Sequence, residues 1–296
     1  MTKVVVTGGA GFIGSHIVDG CVEEGFDAHV IDISSPRKGH TNKKARYHEA
    51  DIRNLKSITP IIKDALYVFH LAALPRVQYS IENPEETTET NVVGTMNVLA
   101  AAQKGGVKRV IFSSSSSVYG DQPTLPFKED MTPAPKSPYA LHKLVGEQYC
   151  SVWNTVYGLE TVSLRYFNIY GPRMSPQGSY PLAIALFIDQ RKKGKPMTIT
   201  GDGKQTRDFT HVSDVVKANI LAAKSSTVGK GECINIGFGK GVSMLEITKL
   251  IGGPTKFIAP RLEPKHTLAD NAKAKKLLQW KPTISIEEGI KAIKNN

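Results

Sequence analysis

Tyr139 and Lys143 stand four residues apart in Ser137-Pro138-Tyr139-Ala140-Leu141-His142-Lys143. Ser137 is a good N-cap, and Pro138 suits the first helical position, where its missing N–H would have had no partner anyway. The spacing predicts one helix face shared by Tyr139 and Lys143. A phenol beside an ammonium can act as a base near neutral pH. Free tyrosine titrates at about 10, and each unit of downward shift needs roughly 1.4 kcal/mol of preferential stabilisation of the phenolate. A helix with a core tyrosine and a surface lysine has the same spelling, so the rest of the chain must decide.

Two other stretches carry chemistry. Gly8-Gly9-Ala10-Gly11-Phe12-Ile13-Gly14 follows the apolar run Lys3 to Thr7 and opens a helix. Glycines at 8, 11 and 14 would allow a tight turn, close approach of a pyrophosphate, and close helix–strand packing, with the anion on the helix N-terminus. Asp32 ends the next strand, 24 residues after Gly8. An acid there accepts hydrogen bonds from an adenosine ribose and repels a 2′-phosphate, which favours NAD over NADP. Arg37 and Lys38 keep NADP open. Ser113 to Ser117 precede Val118-Tyr119-Gly120 at a strand end, where parallel α/β sheets bind ligands. A hydroxyl there can share a proton with a nearby phenolate. Five serines in a row leave open which one works.

The elements that must position these residues alternate strand and helix. Strands are expected at Lys3 to Thr7, Ala28 to Ile31, Arg46 to Ala50, Tyr67 to Leu71, Arg109 to Ser113 and Thr161 to Arg165. Helices are expected from Gly14 to about Glu24, over Leu55 to Lys63, and from Pro138 to about Tyr157. Another, long helix starts near Pro84, with Asn83 as N-cap, Glu85 and Glu86 in its first turn, and an apolar stripe of Val92, Val93, Met96, Leu99 and Ala100. This is a doubly wound, Rossmann-type parallel α/β sheet. Residues 1–167 read as the dinucleotide-binding domain. After Asn168 glycine, proline and polar residues mark a smaller, mixed α/β substrate domain, 168–296, with the chain re-entering the first domain at about 205–225.

Composition narrows the class. The chain has 296 residues, 40% hydrophobic and 22% charged, which suits a globular α/β protein. No apolar run reaches the roughly 20 residues of a membrane helix, and no signal peptide is visible, so a cytoplasmic location is expected. Three dispersed cysteines argue for reduced thiols, and eight scattered histidines form no metal-ligand spacing, so no metal is expected. The net charge of +11 is spread over short groups without interleaved aromatics. That is read as solvated faces and attraction for an anionic substrate, not as a nucleic-acid platform.

With these motifs in order, the chain resembles the extended short-chain dehydrogenases/reductases, in the nucleotide-sugar epimerase/dehydratase group, and most of all the UDP-glucose (UDP-galactose) 4-epimerases. The likeness runs from Gly8–Gly14 and Asp32 through Asp51-Ile52, His70-Leu71-Ala72-Ala73, Asn91-Val92-x-Gly94-Thr95 and the serine run. It continues through Tyr139/Lys143, Arg165-Tyr166-Phe167-Asn168, Gly201-Asp202-Gly203, Arg207-Asp208-Phe209, Ala269-Asp270 and Trp280-x-Pro282. It implies tightly held, recycled NAD, bound by Gly8, Gly11, Phe12, Ile13 and Gly14 at the pyrophosphate and by Asp32 at the ribose. Asp51 and Ile52 would flank the adenine. Leu71, Ala72, Ala73, Asn91, Ser113 and Tyr166 would line the other half.

The resemblance also assigns roles in the reaction. Ser115 would bridge protons, Tyr139 would be the base, and Lys143 would hold the nicotinamide ribose and lower the phenol's pKa. Asn168, Arg207, Arg261 and Lys265 would meet the UDP phosphates, although Lys265-His266 stands where the family has Arg-His. Thr267, three before Asp270, falls where a bulky tyrosine excludes 2-acetamido sugars. The dehydratases and decarboxylating relatives carry an acid between the catalytic Ser/Thr and Val-Tyr-Gly, where this chain has Ser116 and Ser117. The implied reaction is therefore NAD-dependent 4-epimerisation of a UDP-hexose through a transient 4-keto sugar. A UDP-glucuronate 4-epimerase, a sugar dehydratase or reductase, and an NAD-sensing scaffold are the alternatives. The resemblance further implies a homodimer through the helices starting near Pro84 and Pro138.

Overall fold

The computed structural model describes residues 1–176, 182–260 and 265–294. The chain begins β1 (Lys3–Thr7), α1 (Phe12–Glu23), β2 (Asp27–Asp32), β3 (Arg46–Glu49), α2 (Leu55–Ile62) and β4 (Tyr67–His70). It continues with α3 (Val77–Glu82), α4 (Pro84–Thr88), a π-helical turn (Glu89–Val93) and α5 (Gly94–Lys104). Then come β5 (Arg109–Ser115), α6 (Pro138–Tyr157), β6 (Glu160–Tyr166), β7 (Ile169–Tyr170) and α7 (Ala183–Lys192). Next are β8 (Met197–Thr200), β9 (Thr206–Asp208), β10 (Thr210–His211), α8 (Val212–Lys224) and β11 (Lys230–Ile236). The described chain closes with β12 (Gly241–Ser243), α9 (Met244–Ile251), β13 (Thr255–Ile258), α10 (Ala272–Leu278) and α11 (Ile286–Lys294).

Among the described residues seven strands form one sheet in the order β11-β6-β5-β4-β1-β2-β3. Every pairing in it is parallel. The strand order reverses between β1 and β4, and the crevice at such a switch point is where open α/β sheets take ligands. The central strands are apolar nearly throughout because both faces are covered. One face packs Val4, Val6, Ile111 and Leu164 against residues of α1 and α8 such as Ile17 and Val215. The other packs Val5, Val68, Val110 and Phe112 against Ile58, Val98 and Cys150 of α2, α5 and α6.

A separate cluster (Phe187, Met197, Ile199, Ile247, Ile290) joins α7, β8, α9 and α11. The chain returns to the sheet with α8 and stays there through β11, to Ile236, beyond the 225 expected. Trp280 is buried in the α1/α8 core and donates through Nε1 to Asp214 O at 2.9 Å. The Asp214 carboxylate accepts from Thr283 N (3.0 Å), Thr283 Oγ1 (2.7 Å) and Ile284 N (3.1 Å), which clasps the C-terminal segment to α8. No described helix is long and apolar enough to cross a membrane.

Asn83 stands at the N-cap of the Pro84 helix, but its side chain makes no cap hydrogen bond there: Nδ2 turns back to Tyr79 O at 3.3 Å, at the end of the preceding helix α3. The long helix from Pro84 is interrupted in its regularity by the π turn, which carries Asn91 at its centre. The expected stripe splits accordingly: Leu99 is buried, whereas Val93 is 41% exposed.

Candidate active site

The ends of β1, β2, β4, β5 and β6 converge on one edge of the sheet. At β1, Gly8 holds φ +73°, and a Cβ there would lie 2.7 Å from Ala72 N. At Gly14 a Cβ would lie 2.1 Å from Gly8 O, so α1 rests directly on the turn. Gly11 is exposed and is the N-cap of α1, with no side chain capping the helix. Uncapped first-turn amides beside open glycine fit a diphosphate. Phe12 and Ile13 are half-buried and pack on the α1/α8 core. Asp32 lies at the mouth: Oδ2 accepts from Ala10 N at 3.0 Å and Oδ1 from Ser34 N at 3.2 Å. This cradle suits a dinucleotide with an acid on the ribose side.

The adenine-side candidates are more engaged internally. Asp51 accepts from Arg53 Nε at 2.8 Å, and that arginine's hydrogen bond draws its carboxyl below the usual range. Ile52 is buried in the α2/α5 core, and its side chain lies where a Cβ on Gly94 would sit.

Loop 71–74 is held at both ends by a directed polar chain. Thr95 Oγ1 donates to Asn91 O at 2.7 Å, so it accepts from His70 Nε2 at 2.9 Å. His70 Nδ1 therefore accepts from Thr7 Oγ1 (2.7 Å), which in turn accepts from Ala72 N (3.3 Å). Burial, and then the Lys143 ammonium, push the His70 pKa down to about 3, so the ring is neutral. Asn91 fixes the other end: Leu74 N donates to Oδ1 at 2.7 Å, and Nδ2 donates to Leu74 O at 3.1 Å. Leu71 and Ala73 are half-buried in this loop.

The serine run is sorted by the pleat. Ser113 Oγ meets Tyr166 OH at 3.1 Å on the α8 side, where Asn219 Nδ2 also reaches that hydroxyl at 2.8 Å. Burial pushes the Tyr166 phenol up to about 12, and its polar end is spent inside the core. Ser114 Oγ donates to Glu147 on the other face at 2.5 Å. Ser115 is the serine that lowers the Tyr139 phenol's pKa, against burial. Its oxygen accepts from Ser117 N (3.2 Å) and Ser117 Oγ (3.0 Å), which fixes the Ser115 side chain at the end of β5.

Tyr139 and Lys143 sit one turn apart on α6. Ser137 caps the helix, accepting from Ala140 N at 3.2 Å. A second cap comes from outside: Tyr139 N donates to the buried Ser80 Oγ of α3 at 3.0 Å, and Ser80 Oγ donates on to Val77 O at 2.6 Å. Lys143 Nζ donates to Ser113 O at 2.7 Å and lies 5.9 Å from the Tyr139 ring centre. Burial pushes the Lys143 pKa down to about 8, against Glu147. Burial also raises the Tyr139 phenol, and Ser115, not Lys143, is the group that lowers it here. Lys143 thus spends one of its donors on the Ser113 carbonyl while lying over the Tyr139 ring.

Asn168 takes the left-handed region (φ 37°), where asparagine is tolerated. Its Nδ2 reaches Asp208 O at 3.2 Å and Thr267 Oγ1 at 3.3 Å. Arg207 Nη1 donates to Thr206 O at 3.0 Å and Lys265 O at 3.4 Å, and Thr206 N donates to Lys265 O at 3.0 Å. Lys265 itself is exposed. Asp270 Oδ1 accepts from Ala272 N at 2.9 Å, at the start of α10. Arg261 lies outside the described residues.

Sequence reasoning missed Ser80, because α3 has too few residues to show a period. It also missed Glu147, although 139, 143 and 147 follow the same four-residue step. Glu147 is buried and pairs with Arg165 through two bonds of 2.8 and 2.7 Å, which ties α6 to β6. Asp208 is buried and accepts from Phe238 N, Gly239 N and Ala269 N at 2.8–2.9 Å. Burial pushes its carboxyl up to about 6, against those three amides.

This arrangement agrees with what known proteins show. Residues 4–237 match the NAD dependent epimerase/dehydratase family. A Methanocaldococcus jannaschii protein, provisionally named a UDP-glucose 4-epimerase, is 40% identical over 301 residues, covering 99% of this chain and 97% of that one. The UDP-glucose 4-epimerase of Thermotoga maritima, solved with UDP-glucose, superposes with a TM-score of 0.93 at 37% identity, over 99% and 98% of the two chains. The UDP-N-acetylglucosamine 4-epimerase of Methanobrevibacter ruminantium, solved with UDP-N-acetylmuramic acid, gives 0.94 at 36% identity, over 99% and 97%. With a glycine cradle, an acid at the second strand and a Ser–Tyr–Lys set on one sheet edge, this chain belongs to the NAD dependent epimerase/dehydratase family.

Proposed function

We propose that the protein interconverts the C4 epimers of a UDP-hexose, UDP-glucose and UDP-galactose, and that it also accepts their 2-acetamido counterparts. The observation that carries this reading is Tyr139 and Lys143 one turn apart on α6, fastened by Lys143 to the β5 end that bears Ser115 and followed by Ser116 and Ser117 where the dehydratases have an acid. Tyr139 takes the proton of the sugar 4-OH, and the Ser115 hydroxyl, oriented by Ser117, relays it. Lys143 supplies positive charge to the phenolate and a donor to a ribose. When bound, NAD supplies the hydride acceptor for C4 and the return of that hydride to the opposite face of the keto sugar. Asn168 and Arg207 hold the diphosphate about which the sugar turns. Serines at 116 and 117 give no carboxylate for the second proton transfer that elimination would need.

The sugar preference rests on Thr267, a small side chain drawn toward Asn168. We further infer a homodimer in the cytoplasm. Apolar side chains are exposed on α3 (Ile81, 52%) and α6 (Leu141, 49%; Val156, 63%), and a second copy would cover them. Proton NMR of UDP-galactose and UDP-N-acetylgalactosamine, with no NAD added, tests the activity. Appearance of the gluco epimers is expected, and absence of conversion of every UDP-hexose would overturn it. Sedimentation analysis tests the dimer.

A further inference from the structure

His142 lies between Tyr139 and Lys143 on α6 but turns to another neighbour. It is 5% exposed and faces the helix that contains the π turn. Its Nε2 lies 3.0 Å from Thr88 Oγ1, and its Nδ1 lies 3.4 Å from Asn91 Nδ2. Both contacts have a determined direction. Leu74 N can only donate, so Asn91 Oδ1 faces it, and Asn91 Nδ2 is the amide end toward His142. His142 Nδ1 is then the acceptor. Thr88 Oγ1 gives its own proton to Pro84 O at 2.7 Å, so it accepts from His142 Nε2–H. One neutral tautomer satisfies every partner. Burial, and next the Lys143 ammonium, lower the His142 pKa, which agrees with a neutral ring.

Asn91 is thus shared. One side of its amide grips Leu74 of loop 71–74, and the other reaches the helix bearing Tyr139 and Lys143. The same residue, through its carbonyl, ends the chain that runs from Ala72 through Thr7, His70 and Thr95. His142 is the link between that frame and α6. We propose that His142 is a positioning residue for the cofactor: by accepting from Asn91 it holds loop 71–74 in register with Tyr139 and Lys143, so that bound NAD is retained through many turnovers. The proposal rests on the reading of loop 71–74 as part of the NAD site.

Two variants separate the contacts. In His142→Asn the side-chain oxygen can stand where Nδ1 stood and keep the bond from Asn91. In His142→Gln the amide nitrogen can stand where Nε2 stood and keep only the bond to Thr88. The holoenzymes are purified, their bound NAD is quantified, and its release is followed by exchange with excess isotope-labelled NAD. His142→Gln should release NAD about tenfold faster than wild type, as loss of one hydrogen bond would give, with the KM for the UDP-sugar unchanged. His142→Asn should stay near the wild-type rate. Equal release from His142→Gln and wild type overturns the proposal. Equally fast release from both variants, with equal loss of thermal stability, overturns it in favour of a packing role. Wild type that carries and binds no NAD overturns the site reading, and the proposal with it, and is told apart because the unaltered protein fails first.

Discussion

The ammonium of Lys143 is hydrogen-bonded at 2.7 Å to the backbone carbonyl of Ser113, the residue two before Ser115 on β5. The helix bearing Tyr139 is therefore fastened to the strand that ends at Ser115. Glu147, one turn further along α6, receives Ser114 Oγ from the same strand. Two successive serines, Ser113 and Ser114, thus place a carbonyl and a buried hydroxyl against one helix.

The Lys143 environment has a pH signature. Its folded-state pKa is about 8, below the ordinary value of about 10.4. Between these values the unfolded chain keeps the proton and the native chain sheds it, so stability rises with pH across about 8 to 10.4, by at most about 1.4 kcal/mol per unit. Denaturant unfolding of NAD-stripped wild type at pH 7.5 and 9.5, set against Lys143→Met, should show a gain that the variant lacks. An equal pH response in the two proteins would sink the claim.

Tyr139→Phe removes the base and leaves the glycine cradle, Asp32 and Lys143 in place. Turnover should fall by at least about 10²-fold while the purified protein still carries NAD. Ser115→Ala should fall by a smaller factor, because water can replace the relay. Initial rates by proton NMR, with NAD release on denaturation, check both. Near-wild-type activity in Tyr139→Phe would remove the tyrosine from the mechanism.

Ser80→Ala takes away the partner of the Tyr139 amide at the start of α6. A lost helix cap costs about 1 kcal/mol. The expected outcome is a modest fall in unfolding free energy together with a reduced kcat, since the helix start bearing the phenol loses a fixed point. Stability loss without any kcat effect would show that Ser80 serves the fold alone.

Glu147 and Arg165 form a bidentate pair with side chains 1% and 4% exposed. Removing one partner leaves an uncompensated buried charge, so Glu147→Leu should destabilise by about 3–5 kcal/mol. The double variant Glu147→Leu/Arg165→Met should recover much of that loss. A double variant as unstable as the sum of the singles would argue against the pair acting as a unit.

The Asp214 carboxylate binds three donors of the C-terminal segment. Asp214→Ala should lower stability by roughly 2–4 kcal/mol and expose Trp280. Tryptophan fluorescence during unfolding reports both. An unshifted transition with unchanged emission would mean that the clasp contributes nothing.

Much of the frame was legible because two periodicities and glycine chemistry are local. Lys3 to Thr7 reads as a buried strand from its own residues, and Ser137-Pro138 marks the start of α6 wherever it lies. Asp32 was placed by its distance along the βαβ unit. The missed features are contacts between distant segments. Ser80 caps a helix 59 residues away, which no spacing rule records. The directions of Ser113, Ser114 and Ser115 depend on the pleat of β5, which ends before Ser116, so five identical letters carry no choice among them. The hydrogen bond from Lys143 to Ser113, 30 residues away, is likewise visible only in the fold.

The π turn at Glu89–Val93 amounts to one surplus residue in an otherwise regular helix. An α-helix advances by about 100° per residue. Were the surplus not taken up in the wider turn, a strict α-helix of the same residues would carry everything after it round by about that angle. Gly94 would then leave Ile52, and Leu99 would rotate out of the core, although neither had been changed. The wide turn thus lets one helix serve loop 71–74 at its start and the core at its end without losing the facing of either.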